Sequence, residues 1–455
     1  MAKLYNLQQN LSKINLFLPH QDAQLYLKEF YSTDLGKIYQ SIPWDNLVKL
    51  FAKRKCKNGK KPIFTTQGKL ALMFLKSYTQ CSDSKLIERL NTDYSLQFFC
   101  NIYLFPGRRI KDYKIVSKIR CELAGKLDIR RTQKVLADAW KPYLKDTHVL
   151  LEDATCYETD MRYPTDVKLL WESSQWIYKE MKLICKYARR RMPRSKYPEQ
   201  QERYLHYQRN RKKGYKKTQR KIKSLLYLLN KLLDQLNEIE QQESGKFSFP
   251  DRYYQRKQTI EKILIQQRQM YDTKNNIPGR IVSISKSYIR PIVRGKETKR
   301  VEFGAKVNMI QIDGINFIEH LSFSAFHEGI RLPQSVWLAL DLFGKCTHVS
   351  ADNIYATNVN RKFCSERNMY TNFIRKGRAS KDEEQRQQLR SVLSKERATR
   401  MEGSFGVEKN HYGLSRIKAR IKPTEILWIF FGVHTANAVK MARKKYPEKI
   451  PRQVA

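Results

Sequence analysis

An apolar run that carries acids inside it constrains this chain most. Thr147-His-Val-Leu-Leu-Glu-Asp-Ala-Thr-Cys156 is rich in β-branched and apolar residues, which reads as a buried strand delivering Asp153 at or near its end. An unpaired carboxylate in such a place is costly, so it needs a compensating positive charge, and a metal ion is one good way to supply it. Asp160 and Asp166 are the competing acids of this region. A second run, Cys346-Thr-His-Val-Ser-Ala-Asp352, also ends in an acid. Between the two, Val301 to Gln311 alternates with Phe303, Ala305, Val307 and Met309 on one face. Asp313-Gly314 then gives a two-residue hairpin signal before Ile315 to Phe323 runs back.

The remaining elements of this half fall around those strands. Pro333 to Phe343 suits a helix, Thr357 to Arg367 another, and Asn372 to Arg378 a short strand with a basic turn. Asp382 to Arg400 reads as a long polar helix leading to Glu402, and Thr424 to Arg443 as a closing helix after Pro423. The order is strand with Asp153, hairpin, helix, strand with Asp352, helix, strand, helix with Glu402. This is a ribonuclease-H-like order: α/β, a mixed sheet with flanking helices, acids leaving neighbouring strand ends and a helical glutamate opposite. Such a set can surround two divalent metals about 4 Å apart.

Glu402 sits in Arg400-Met-Glu-Gly-Ser-Phe-Gly-Val-Glu-Lys-Asn-His-Tyr-Gly-Leu414. Lys409 follows seven positions later, on the same helix face at about 10 Å, which suits a site holding a metal and a phosphate together. Glu408 or Asp341 would be the substitute if Glu402 were not the third ligand. Gly403 and Gly406 weaken the helix here, so a bend is expected, or a close approach by a DNA backbone.

Two further regions complete the organisation. Residues 1–145 read as an all-α N-terminal domain, with short helices from Thr66, from Ser84 after the Ser82-Asp83 capping signal, and from Tyr94 after Asp93. A helix-turn-helix or a plain helical dimerisation or packing domain fits equally. Residues 146–175 open the catalytic core, 278–445 complete it, and 446–455 are a basic tail. Residues 176–277 interrupt the core. Between Arg189 and Lys223 there are fifteen Lys or Arg against Glu199 and Glu202, so this is a concentrated basic surface. Leu225, Leu229, Leu232, Leu236 and Ile239 then form a heptad seam. A second helical pattern from Ile260 to Met270 can pack back on it as a hairpin; pairing within the chain or with a second copy both satisfy the seam.

With 88 Lys and Arg against 44 Asp and Glu, the chain carries a formal charge of +44 spread along its length, and a polyanion is the expected partner. The longest apolar run, Ile426 to Val433, is far short of the roughly 20 residues of a spanning helix, and Met1 to Pro19 has no signal-peptide pattern. Eight scattered cysteines without zinc-ligand spacing fit reduced thiols in a cytosol.

With these residues in place, the chain resembles the DDE transposases of bacterial insertion sequences that have a helical N-terminal domain. The resemblance covers most of the chain: Leu70 to Leu90; Leu151-Glu-Asp-Ala-Thr155 with Tyr163-Pro-Thr-Asp166; Glu302-Phe-Gly-Ala-Lys306; Val349-Ser-Ala-Asp-Asn-Ile-Tyr355; and Glu402 with Phe405-Gly406, Lys409 and Tyr412-Gly-Leu414. It implies metal-dependent cleavage at element ends and strand transfer into target DNA, with Asp153, Asp352 and Glu402 holding two Mg²⁺, for which Mn²⁺ can substitute. It implies double-stranded DNA as partner, a homodimer on that DNA and a cytoplasmic, nucleoid-associated location in a bacterium. Expected DNA contacts are Lys409, Arg400, Arg397, Arg378 and Tyr355 in the core, and Arg189, Arg190, Arg191, Lys212, Lys213, Lys216 and Lys217 in the insertion. Related enzymes often carry an arginine four residues before the glutamate, where this chain has Ala398. A nuclease of the same fold, or a non-catalytic nucleic-acid-binding protein with structural acids, are the alternatives.

Overall fold

The computed structural model describes residues 20–52, 62–104, 107–245, 248–293, 301–377 and 382–447. They divide into two compact units. The first takes in the chain to Thr159, Lys306–Ser322 and everything from Phe326; the second is Asp160–Ala305 with Phe323–Ala325.

Among the described residues there are six strands: β1 (Val149–Glu158), β2 (Pro291–Val293), β3 (Val301–Ile312), β4 (Ile315–Ser322), β5 (His348–Ala351) and β6 (Tyr370–Thr371). In the first unit five of them run in the order β4-β3-β1-β5-β6. β3 and β4 are antiparallel. Asp313 and Gly314 join them with φ of 45° and 84°, the left-handed pair that a primed two-residue turn requires. β1 and β5 are parallel, with Val149 opposite His348 and Glu152 opposite Ala351. β5 and β6 are parallel too. β6 lies ahead of the strand expected from Asn372. The Asn372 side chain explains the shift: its amide oxygen accepts from the Ala351 N–H at 3.0 Å and its amide nitrogen donates to the Ala351 carbonyl at 2.9 Å, so the side chain makes the bonds a longer strand would have made.

The N-terminal region is helical. Helices Thr66–Thr79, Asp83–Leu90 and Tyr94–Phe99 start from Thr65, Ser82 and Asp93, whose side chains accept from backbone N–H groups of their first turns. Tyr94–Phe99 has six residues and buries Leu96, Gln97 and Phe99, so it lacks the free face of a groove-reading helix. These helices are not a separate body. Phe74 meets Phe431 of the closing helix Lys422–Lys445 edge-on at 5.0 Å, and Ser41 Oγ donates to the Ala438 carbonyl at 3.1 Å. The expected boundary at 145 therefore cuts a continuous core. The closing helix begins at Lys422, with Pro423 inside its first turn, where a missing N–H costs nothing.

The second unit is built on the helices Asp166–Tyr187, Tyr197–Arg209, Tyr215–Gln242 and Asp251–Thr273. Leu225, Leu229, Leu232, Leu236 and Ile239 are all buried in one cluster with Leu170, Ile177, Met181 and Ile184 of the first helix and Ile260 of the last. The heptad seam is thus satisfied within the chain, and mainly by a helix other than the one expected as its hairpin partner. The expected division at 175/176 falls inside Asp166–Tyr187 and is corrected accordingly. Asp166, one of the competing acids, is bound by Arg280 Nη1 at 2.6 Å and Gln267 Nε2 at 3.1 Å.

Candidate functional site

The parallel register of β1 and β5 ends at Glu152 opposite Ala351, and the next residue on each strand is an aspartate. Asp153 therefore stands level with Asp352, which follows the last residue of β5; β1 itself runs on to Glu158, so the expectation that Asp153 lies at or near the end of its strand is corrected to a mid-strand position beside the end of β5. Arg397 Nη1 donates to Asp153 Oδ2 at 2.9 Å, and its Nη2 lies 3.9 Å from Asp352 Oδ1. Asp153 is largely buried and Asp352 half exposed, at 17% and 53% side-chain exposure. Burial pushes the Asp153 carboxyl up to about 6; Arg397 pulls against that, while Asp352 and Glu328 add to it. Asp352 also accepts from the Asn353 N–H at 2.7 Å, capping the turn that follows β5.

Successive strand residues face opposite ways, so Glu152 points away from Asp153. It is fully buried, accepts from Asn308 Nδ2 at 2.9 Å and Ser335 Oγ at 2.5 Å, and burial pushes it up to about 8. Tyr355 joins this network: its hydroxyl donates to Asn308 Oδ1 at 2.6 Å, and its side chain is fully buried. Tyr355 is thus a packing residue supporting the β5 turn rather than a DNA contact, which corrects the expectation from sequence. Lys306 pairs with Glu328 at 2.7 Å. Glu152, Glu328 and the position of Arg397 were not singled out from sequence. The Glu152-Asp153 doublet is the signal for the first, because two adjacent acids in a buried strand send one carboxylate to each face.

Arg397 and Glu402 share one helix, Glu383–His411. It runs unbroken through Gly403 and Gly406, and Leu393, Met401, Ser404, Phe405 and Glu408 pin its inner face. Glu402 lies five residues beyond Arg397, roughly 140° further round the helix, and is exposed. Among the described residues no group of three or more His, Cys, Asp or Glu stands arranged to hold a metal. The structure brings Asp153 and Asp352 together under Arg397 and leaves Glu402 on an outer face of the same helix.

Neither substitute acid takes its place. Glu408 is buried, bound by the Tyr157 hydroxyl and by Asn316 Nδ2 at 2.5 Å, and pushed up by burial. Asp341 pairs with Arg130 at 3.1 Å. Of the expected DNA contacts in the core, Lys409 is half-buried with its ammonium 5.9 Å from the Tyr157 ring centre, and Arg400 is paired with Glu396 at 2.5 Å. Arg378 lies outside the described residues. In the second unit Arg189, Arg191, Lys212, Lys213, Lys216 and Lys217 are exposed, whereas Arg190 is half-buried and donates to Gln242 Oε1 at 2.7 Å.

The two carboxylates, one of them desolvated, are oxygen donors of the kind a hard divalent cation takes, and Arg397 supplies the positive charge beside them. Comparison with known proteins gives two matches to family models. One described as Transposase DDE domain matches residues 349–433, which include Asp352, Arg397 and Glu402; one described as Transposase domain (DUF772) matches residues 24–122. No curated protein and no solved structure matches the chain significantly.

Proposed function

We propose, for a chain that belongs with the insertion-sequence DDE transposases, that Asp153, Asp352 and Glu402 are the acids of its metal site and that its core is ribonuclease-H-like. The protein is a DNA transposase, and metal-dependent strand cleavage and strand transfer are inherent to that family. The observation that carries the site assignment is the placement of Asp153, midway along β1, level with Asp352 just past the end of parallel β5, with Arg397 reaching both. The strand order β4-β3-β1-β5-β6, with a hairpin on one side of β1 and parallel strands on the other, supports the fold reading. Glu402 enters on its motif, with Lys409 seven positions beyond it.

In this reading Asp153 and Asp352 hold the cation, Mg²⁺ with Mn²⁺ as substitute, and Glu402 completes the shell when the Glu383–His411 helix presents its outer face. The cation, when bound, supplies Lewis-acid stabilisation of charge on the reacting phosphate. Arg397 neutralises the two carboxylates and, on arrival of DNA, offers the same planar donors to a phosphate oxygen. The basic face of the second unit grips the DNA backbone, and the active form is a homodimer on DNA in the bacterial cytoplasm. No helix among the described residues is long and apolar enough to cross a membrane.

Glu402→Gln tests the third acid. The substitution keeps size and hydrogen-bonding capacity and removes the charge that a hard cation needs. DNA binding holds within a few-fold, while Mg²⁺-dependent cleavage falls by orders of magnitude, because several kcal/mol of transition-state stabilisation is lost. Cleavage within a few-fold of the parent would remove Glu402 from the site.

A further inference from the structure

We propose that the outer face of the Glu383–His411 helix beyond Glu402, together with the cavity at its end, is a track for the DNA strand running off the reacting phosphodiester. The proposal rests on the reading of Glu402 as a residue of the reaction centre. Glu402, Gly403, Gly406, Val407 and Asn410 fall at helical spacing on one side of the helix; Gly406 is partly exposed and the others are exposed. Glycine weakens a helix interior, and nothing in the chain asks for it here. Neither glycine has positive φ, and a Cβ at either position meets no atom within 4 Å. A bare helix surface that neither packing nor backbone geometry requires leaves room for a ligand lying against the backbone.

That surface leads into a cavity of about 910 Å³, lined by Val407 and His411 of the same helix and by Lys37, Tyr78 and Arg443. Gln80 Nε2 donates to the Asn410 carbonyl at 3.1 Å and ties the rim to the helix. The lining holds one acid, Asp34, which stands 3.6 Å from Lys37. Lys440 is committed to the Gly314 carbonyl and Ser404 Oγ, both at 2.8 Å. Arg443 is exposed and has no carboxylate within ion-pair distance among the described residues, and Tyr78 is 38% exposed. Cations for phosphates beside an exposed aromatic face for a base are what binds a single strand without sequence preference. Glu402 and His411 are nine residues apart, about 13.5 Å along the helix. A strand that keeps its B-form stacking carries a charge every 3.4 Å or so along its axis, so a stacked strand reaches the cavity about four nucleotides from the reacting phosphate and an extended one in fewer.

The test uses fluorescein-labelled duplexes with 3′ single-stranded extensions of none, two, four and six nucleotides, with affinity read by anisotropy. The parent binds roughly tenfold tighter with the six-nucleotide than with the two-nucleotide extension, the worth of one stacked base and its phosphate. Lys37→Gln/Arg443→Gln and Tyr78→Ala abolish that difference and bind the blunt duplex like the parent. Gly403→Ala/Gly406→Ala also abolishes it, yet melts roughly 1–2 °C higher than the parent because each alanine favours the helix. The separation of higher stability from weaker binding excludes damage to the fold. A length dependence that survives in all three variants, or none in the parent, overturns the track while leaving the transposase reading intact; a parent that binds no duplex at all removes both.

Discussion

Two carboxylates level with each other, Asp153 within β1 and Asp352 just past β5, repel each other, and Arg397 is this chain's own answer. Its guanidinium reaches Asp153 at 2.9 Å and Asp352 at 3.9 Å, and with 16% side-chain exposure it is shielded from much of the solvent that screens surface pairs. Removing one partner of such a pair leaves the other desolvated, which costs about 1–3 kcal/mol for a hydrogen bond to a charged group. Arg397→Gln in EDTA is therefore expected to lower unfolding stability by about that amount. Millimolar Mg²⁺ should narrow the difference, because a cation at Asp153 and Asp352 replaces the missing charge. Denaturant melts of parent and variant with and without Mg²⁺ measure both effects. Equal stability in EDTA would make the pairing incidental, and a gap that Mg²⁺ leaves untouched would separate the pair from cation binding. The role of Arg397 was not legible in sequence. Helical spacing relates it to Glu402, but only the packing of that helix across β1 and β5 brings it over the acids.

At the scale of elements, what could be read from the chain was whatever local chemistry dictates. Asp313-Gly314 marks its hairpin because few other residues accept left-handed φ at both positions, and Ser82 and Asp93 mark helix starts because their side chains bond first-turn N–H groups. Long-range packing decided the rest. The helix continues unbroken through Gly403 and Gly406, with Met401, Ser404, Phe405 and Glu408 buried beneath it, and β6 is short because Asn372 bonds β5 through its side chain. The leucine seam shows the same limit: periodicity gave the helix and its apolar stripe, while its partner, Asp166–Tyr187, came from tertiary structure. Leu232 is fully buried in that cluster, so Leu232→Ala should cost about 2–5 kcal/mol by transfer and cavity terms and leave the molar mass in solution unchanged. Dissociation of a dimer in that variant, seen by light scattering, would return the seam to an interface between copies.

At the scale of the whole molecule, a formal charge of +44 sets how this protein meets DNA. Charge of that size gives attraction to any duplex and a steep dependence on salt, since each neutralised phosphate releases condensed counterions. Base recognition, by contrast, would leave the salt slope nearly alone and change the preference among sequences. The second unit concentrates this charge: Lys212, Lys213, Lys216 and Lys217 are all exposed around the start of Tyr215–Gln242, and Lys213 stands 5.3 Å from the Tyr207 ring centre. These side chains carry no buried packing, so Lys212→Gln/Lys213→Gln/Lys216→Gln/Lys217→Gln should fold as the parent does. If the four meet phosphates, the slope of log affinity against log salt flattens by roughly 0.9 for each phosphate that is no longer neutralised. Affinity for random and for element-end duplexes should fall by the same factor, because phosphates carry no sequence. Titrations of both duplexes between 50 and 200 mM salt, on the order of the range where such effects are large, read slope and specificity together. An unchanged slope would make this surface a solvated one, and a weakening confined to element-end DNA would mean that the second unit reads bases.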